Sequence, residues 1–216
     1  MKISKMLGVA LVAVLALAVT ASAASAATFN IEGTTGPFTV KGAQVAEENH
    51  VFTIESGLQT KCKTATFTGT APATSNATLE ITPSYASCTA FGLSATITMN
   101  SCKYKFLSPS GSATPWAGSA IELLCTNASP ATIKTATCEV KIEQQATPKK
   151  TEVSYETSGT EHVLVKANVS AIEYNKTEDG FLCPLNGTGK KSDGKYEGNT
   201  TVEGFEGAIK RKINVM

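Results

Sequence analysis

The sequence predicts an all-β fold: an antiparallel β-sandwich, or two small stacked β units, tied by disulfides and preceded by a cleavable export signal. Three observations predict it. Apolar and polar residues alternate with period two along most of the chain, the spacing of a half-buried strand. Gly, Pro, Asp and Ser interrupt these runs every eight to fifteen residues, as turns between short strands would. Thirty of the 216 residues are Thr, whose branched side chain favours pleated backbone, and outside the leader no helical period is sustained over three turns.

Residues 1–27 have a basic start with Lys2 and Lys5, an apolar run over 6–19, and small residues ending Ala24-Ser25-Ala26-Ala27. These are the three zones of a secretory signal cut near Ala26 or Ala27. The apolar run is shorter than the roughly 20 residues a helix needs to cross a bilayer, so no stable membrane anchor is expected once the signal is cut. Residues 28–216 are then read as a single disulfide-stabilised β domain. The polar run 144–150, with Pro148, Lys149 and Lys150, marks a candidate sub-boundary near 147. Period-two runs predict strands over 38–41, 51–55, 61–70, 78–82, 93–99, 103–107, 120–125, 137–143, 152–157, 162–167 and 169–175. Gly57, Pro72, Pro83, Pro130 and Pro148 break them. Asp179-Gly180 and Asp193-Gly194 fit two-residue hairpin loops, which would make 169–203 a three-stranded meander with a final edge over 208–215. The best helical candidate, 42–49, allows one or two turns.

Export decides how Cys62, Cys88, Cys102, Cys125, Cys138 and Cys183 are read, because thiols pair in an oxidising compartment. All six lie beyond the signal. The shortest gap between them is 13 residues, which disfavours the closely spaced pairs of a metal site. Three disulfides are expected, with Cys62–Cys88 and Cys125–Cys138 closing short loops and Cys102–Cys183 tying the middle of the chain to its C-terminal part.

Charge and composition exclude several activities. Removing Lys2 and Lys5 from the 19 basic residues leaves 17 against 18 acidic ones, so no basic surface for nucleic acid is expected. The two histidines, His50 and His162, sit in no nucleophile motif, and both read as surface residues, His50 at the start of a strand and His162 on an outer strand face. The run from Gly187 to Ser192 lacks the glycine and hydroxyl a phosphate loop needs, since those places hold Pro184 and Lys191. Asn175, Thr177 and Asp179-Gly180 resemble half a calcium loop, but the closing carboxylate position is Asn186, so a hairpin turn is the reading. No catalytic residue, cofactor or metal is predicted. Thr64, Thr66, Thr68 and Thr70 share one strand face, with Thr96 and Thr98 repeating the pattern, and Thr there reflects strand preference. Sequons occur at Asn76, Asn127, Asn168, Asn175, Asn186 and Asn199. The single Trp116 reads as a core filler.

The neighbourhoods of Cys62 (Thr60-Lys61-Cys62-Lys63-Thr64-Ala65-Thr66-Phe67), of Cys88 (Tyr85-Ala86-Ser87-Cys88-Thr89-Ala90-Phe91-Gly92), of Cys102 (Met99-Asn100-Ser101-Cys102) and of Cys183 (Asp179-Gly180-Phe181-Leu182-Cys183-Pro184) carry a resemblance. The chain resembles a multi-copy group of exported six-cysteine proteins of uncharacterised function from high-GC Gram-positive soil bacteria. The likeness covers most of the mature chain, implies export, a bacterial host and a disulfide framework, and supplies no mechanism. The ending Ile209 to Met216 departs from the group's pattern.

Together these readings point to a secreted or cell-surface binding module without a catalytic centre, its partner an extracellular glycan or protein. Two alternatives come from other classes. One is a secreted glycoside hydrolase-like enzyme using two of the sixteen Glu residues. The other is an inhibitor of extracellular enzymes presenting the loop 108–117.

Overall fold

The computed structural model describes residues 27–33, 35–54, 57–109, 116–126, 129–145, 151–158, 161–178, 183–185 and 187–216. They form an antiparallel all-β protein. In chain order the strands are β1 (Phe29–Ile31), β2 (Phe38–Gln44), β3 (His50–Ile54), β4 (Leu58–Ala71), β5 (Ser75–Asn76), β6 (Thr78–Ala90), β7 (Leu93–Thr98), β8 (Cys102–Leu107) and β9 (Trp116–Ser119). There follow β10 (Ile121–Cys125), β11 (Ala131–Lys134), β12 (Cys138–Ile142), β13 (Thr151–Ser158), β14 (His162–Glu178), β15 (Gly189–Glu206), β16 (Ile209–Arg211) and β17 (Ile213–Val215).

Four long strands, β4, β6, β14 and β15, change neighbours along their length, and this generates two stacked rings. At one level β6–β7–β11–β12–β14–β15–β3–β4 close back onto β6. At the other level β8–β6–β4–β2–β15–β14–β13–β9 run round to β10, which pairs with β8 again. Ala120 joins β9 to β10, and its carbonyl accepts the Leu107 N–H, sealing that seam. Of the two expected arrangements, the stacked units are realised, and ring closure leaves few sheet edges exposed.

The rings meet where the buried face of the long strands changes parity. On β4 the buried set passes from Thr60 and Cys62 to Ala65 and Phe67, and on β6 from Leu79, Ile81 and Pro83 to Cys88 and Ala90. Ser87 and Ala171 take positive φ (51° and 58°) at these junctions, and the β14–β15 register shifts between Val169 and Ile172, as a bulge requires. A second, three-stranded sheet, β17–β1–β5, sets Phe29, Ile31, Ile213 and Val215 into the β2–β13–β14 core, with the Phe29 and Tyr155 rings edge to face at 5.2 Å.

Several expectations are corrected. Residues 42–44 belong to β2, with Gly42 opposite Val202, so 42–49 is not helical. Pro83 does not end its strand, because it lies where β6 has left β8 and not yet met β7, a place that tolerates a residue without an N–H. Asp193-Gly194 lies inside β15, not in a turn: Gly194 faces Ile172 so closely that a Cβ would stand 2.8 Å from the Ile172 carbonyl oxygen. The glycine serves backbone approach, and 162–206 is therefore a two-stranded hairpin. Asp179-Gly180 and residues 146–150 lie outside the described residues. The short strands β1, β5, β9 and β11 hold too few residues to show a period.

Two of the three expected disulfides are also corrected. Cys62–Cys88 forms as expected, across β4 and β6. Cys102 pairs with Cys125, because the β8–β10 register sets them opposite each other. Cys138 pairs with Cys183, fastening β12 to the segment that leaves β14. The expected Cys125–Cys138 bridge fails because β10 and β12 belong to different rings, and the Cys102–Cys183 bridge fails because Cys102 is taken.

Candidate functional site

The stacked rings surround a cavity of about 150 Å³ lined by Val40, Phe67, Ile81, Phe106, Leu123 and Val165, among others from both levels.

One connected group of polar side chains interrupts the apolar wall. His50 opens β3 in the same parity as Phe52 and Ile54, so the alternation that buries those two turns the imidazole inward as well. This corrects the surface reading, since His50 is only 3% exposed. Its Nδ1 stands 2.5 Å from the Tyr196 hydroxyl and its Nε2 3.2 Å from the Asn199 carbonyl oxygen. The Tyr196 hydroxyl is 3.2 Å from that of Tyr85, which is 2.9 Å from that of Tyr104. Four side chains from β3, β15, β6 and β8 thus form one hydrogen-bonded chain through the cavity wall. Gly198 makes room for it, because a Cβ there would stand 2.3 Å from His50 Nδ1.

Burial sets the protonation of every member. It pushes the Tyr85 hydroxyl well above its ordinary value, reinforced by Tyr104 and Tyr196. Burial raises Tyr104 and Tyr196 too, against a lowering by their bonds to Tyr85. Burial lowers His50, opposed by its bond to the Asn199 carbonyl and by Glu48. At neutral pH the chain is an uncharged imidazole and three phenols, suited to hydrogen bonding and unsuited to supplying a phenolate nucleophile. Thr60 adds one more polar atom to the lining, its hydroxyl fully buried and without a partner.

The other residues singled out in the sequence lie elsewhere. His162 is half-buried on the face of β14 opposite to Val163 and Val165. Thr64, Thr66, Thr68 and Thr70 are exposed on the outside of β4, as are Thr96 and Thr98 on β7. No Glu is among the cavity-lining residues. Described Glu residues make ion pairs with strand lysines on the outer faces, as in Glu122–Lys105, Glu139–Lys141 and Glu173–Lys190. Asn175 and Thr177 are in β14, while Gly187 and Thr188 precede β15. Asn76 is buried and holds the Ala73 backbone through both ends of its amide, which removes it as a glycan acceptor. Within the loop 108–117, residues 110–115 lie outside the described residues, as does the Trp116 side chain.

Sequence reasoning missed Tyr85, Tyr104, Tyr196 and Thr60. A signal existed for Tyr196, which sits between Gly194 and Gly198 in a strand, a spacing that marks close approach by other groups.

Fold and site together define a disulfide-bonded antiparallel β protein whose ring-closed interior is apolar and crossed by a neutral polar chain. No protein-family model, no curated protein and no solved structure matches it.

Proposed function

We propose that this is an exported, disulfide-stabilised bacterial protein, of the six-cysteine kind it resembles, that works by binding without turnover and holds a small apolar guest inside its stacked rings. The observation that carries the reading is the 150 Å³ cavity, apolar in most of its lining and furnished with an unpartnered Thr60 hydroxyl. Three disulfides support export, since such bonds persist in oxidising compartments. Among the described residues no helix is long and apolar enough to cross a membrane.

The test is calorimetric. Toluene at about ten times its Kd adds about 1.4 kcal/mol to a protein that binds it at one site, or a rise in Tm of roughly 3–6 °C for a chain of this size. Ala131→Leu, which projects a larger side chain into the cavity, should abolish that rise while leaving the fold intact. An equal rise in both proteins, or none in either, defeats the reading, as would turnover of chromogenic glycosides that is lost on changing one Glu to Gln.

A further inference from the structure

The hydrogen-bonded chain in the cavity wall has a direction. The Asn199 carbonyl can only accept, so His50 Nε2 carries the proton and donates to it. Nδ1 is then a bare lone pair, and the Tyr196 hydroxyl must donate to it. With that hydrogen committed, the Tyr196 oxygen accepts from Tyr85, and the Tyr85 oxygen accepts from Tyr104. All three O–H groups therefore point along the chain towards His50. The far end is the Tyr104 oxygen, whose hydrogen is engaged and whose lone pairs are available. The Thr200 hydroxyl also lies 3.5 Å from Nε2 and can accept from it or donate to it, but reversing the chain would still set the bare Nε2 3.2 Å from the Asn199 carbonyl, two acceptors face to face.

From this, and resting on the reading of the interior as a guest site, we infer that the guest is a neutral, benzene-sized hydroxyl compound of the phenol class, donating its O–H to Tyr104. Size comes from the volume, since a cavity of about 150 Å³ holds a benzene ring. Polarity comes from the chain, which offers an acceptor at its open end. The unpartnered Thr60 hydroxyl supplies a second polar point in the same lining. Carboxylates are excluded by charge: no Lys or Arg is among the lining residues, and an ion desolvated there would have no counter-charge.

Four para-substituted toluenes test this by titration calorimetry: p-cresol, 4-methylanisole, p-xylene and p-toluate. Each affinity is compared with that probe's own transfer from water to hexane, because p-cresol is the best hydrated of the neutral three. Binding of p-cresol should exceed its hexane reference by at least about fivefold, the net worth of a neutral hydrogen bond exchanged against water and a lower bound against hexane, which offers none. p-Xylene and 4-methylanisole should show no such excess, and p-toluate should not bind measurably. Tyr104→Phe should remove the p-cresol excess and change p-xylene less than twofold. The wild-type series decides the matter by itself should that variant not fold. Absence of a p-cresol excess, or p-toluate binding more tightly, overturns the hydroxyl assignment while p-xylene binding leaves the guest site standing. Failure of all four to bind overturns both.

Discussion

Replacing Gly198 by alanine should unfold the protein more easily by an amount that His50 alone determines. The added Cβ would lie 2.3 Å from His50 Nδ1, 2.6 Å from Cε1 and 2.8 Å from Cγ, so the imidazole has to move. Gly198 is not in the left-handed region, so alanine brings no backbone strain of its own. Displacing the ring has two costs. Overpacking accounts for about 1–3 kcal/mol. Losing the bond between His50 and Tyr196 leaves buried polar groups unmatched, for about 1–3 kcal/mol more. The sum is roughly 2–6 kcal/mol, a fall in Tm of roughly 5–20 °C for a domain of this size. The assay is a double-mutant cycle of urea midpoints with His50→Ala. In that background the ring is gone, and Gly198→Ala should cost less than about 1 kcal/mol, leaving a coupling of about 1 kcal/mol or more. Equal costs of Gly198→Ala in both backgrounds would refute the placement of His50 against Gly198.

Three further outcomes follow from the same geometry. Non-reducing peptide mapping should recover Cys62–Cys88, Cys102–Cys125 and Cys138–Cys183; replacing Cys138 and Cys183 by serine should cost most, about 4 kcal/mol by chain entropy, because their 45-residue separation is the longest. Burial lowers His50, so between that lowered value and about 6.5 the unfolded chain binds more protons than the folded one. Stability is then complete above about pH 6.5 and declines as pH falls, by at most about 1.4 kcal/mol per pH unit from this group. Wild type should lose more stability than His50→Gln between pH 7.5 and 5.5, and equal losses would contradict the buried site. Mass spectrometry of secreted protein should find a mature start at Ala27 or Thr28, just ahead of β1; a retained leader would contradict export by signal cleavage.

Alternation along the longer strands was legible in the sequence, and it is why the all-β class and most strand centres could be read there. Neighbour relations were not. Cys102 meets Cys125 through a register that depends on which ring β8 and β10 join, and nothing local in either segment encodes that. Asp193-Gly194 looks like a hairpin loop by composition, yet the glycine answers to Ile172 on the facing strand. His50 was misplaced for a different reason. Its parity with Phe52 and Ile54 was visible, but a polar residue after Glu47-Glu48-Asn49 reads as surface unless its buried partners are known. Those partners, Tyr85, Tyr104 and Tyr196, come from 35, 54 and 146 residues along the chain and converge only when the rings close.

Xenon is the most direct probe of the interior, being apolar, small and electron-dense. A crystal of the oxidised protein held under xenon pressure should show the gas inside the rings, between Phe67, Ile81, Phe106 and Leu123, and an Ala131→Leu crystal should show it displaced. Ordered water filling that space in place of xenon, or side chains collapsed into it, would contradict the account.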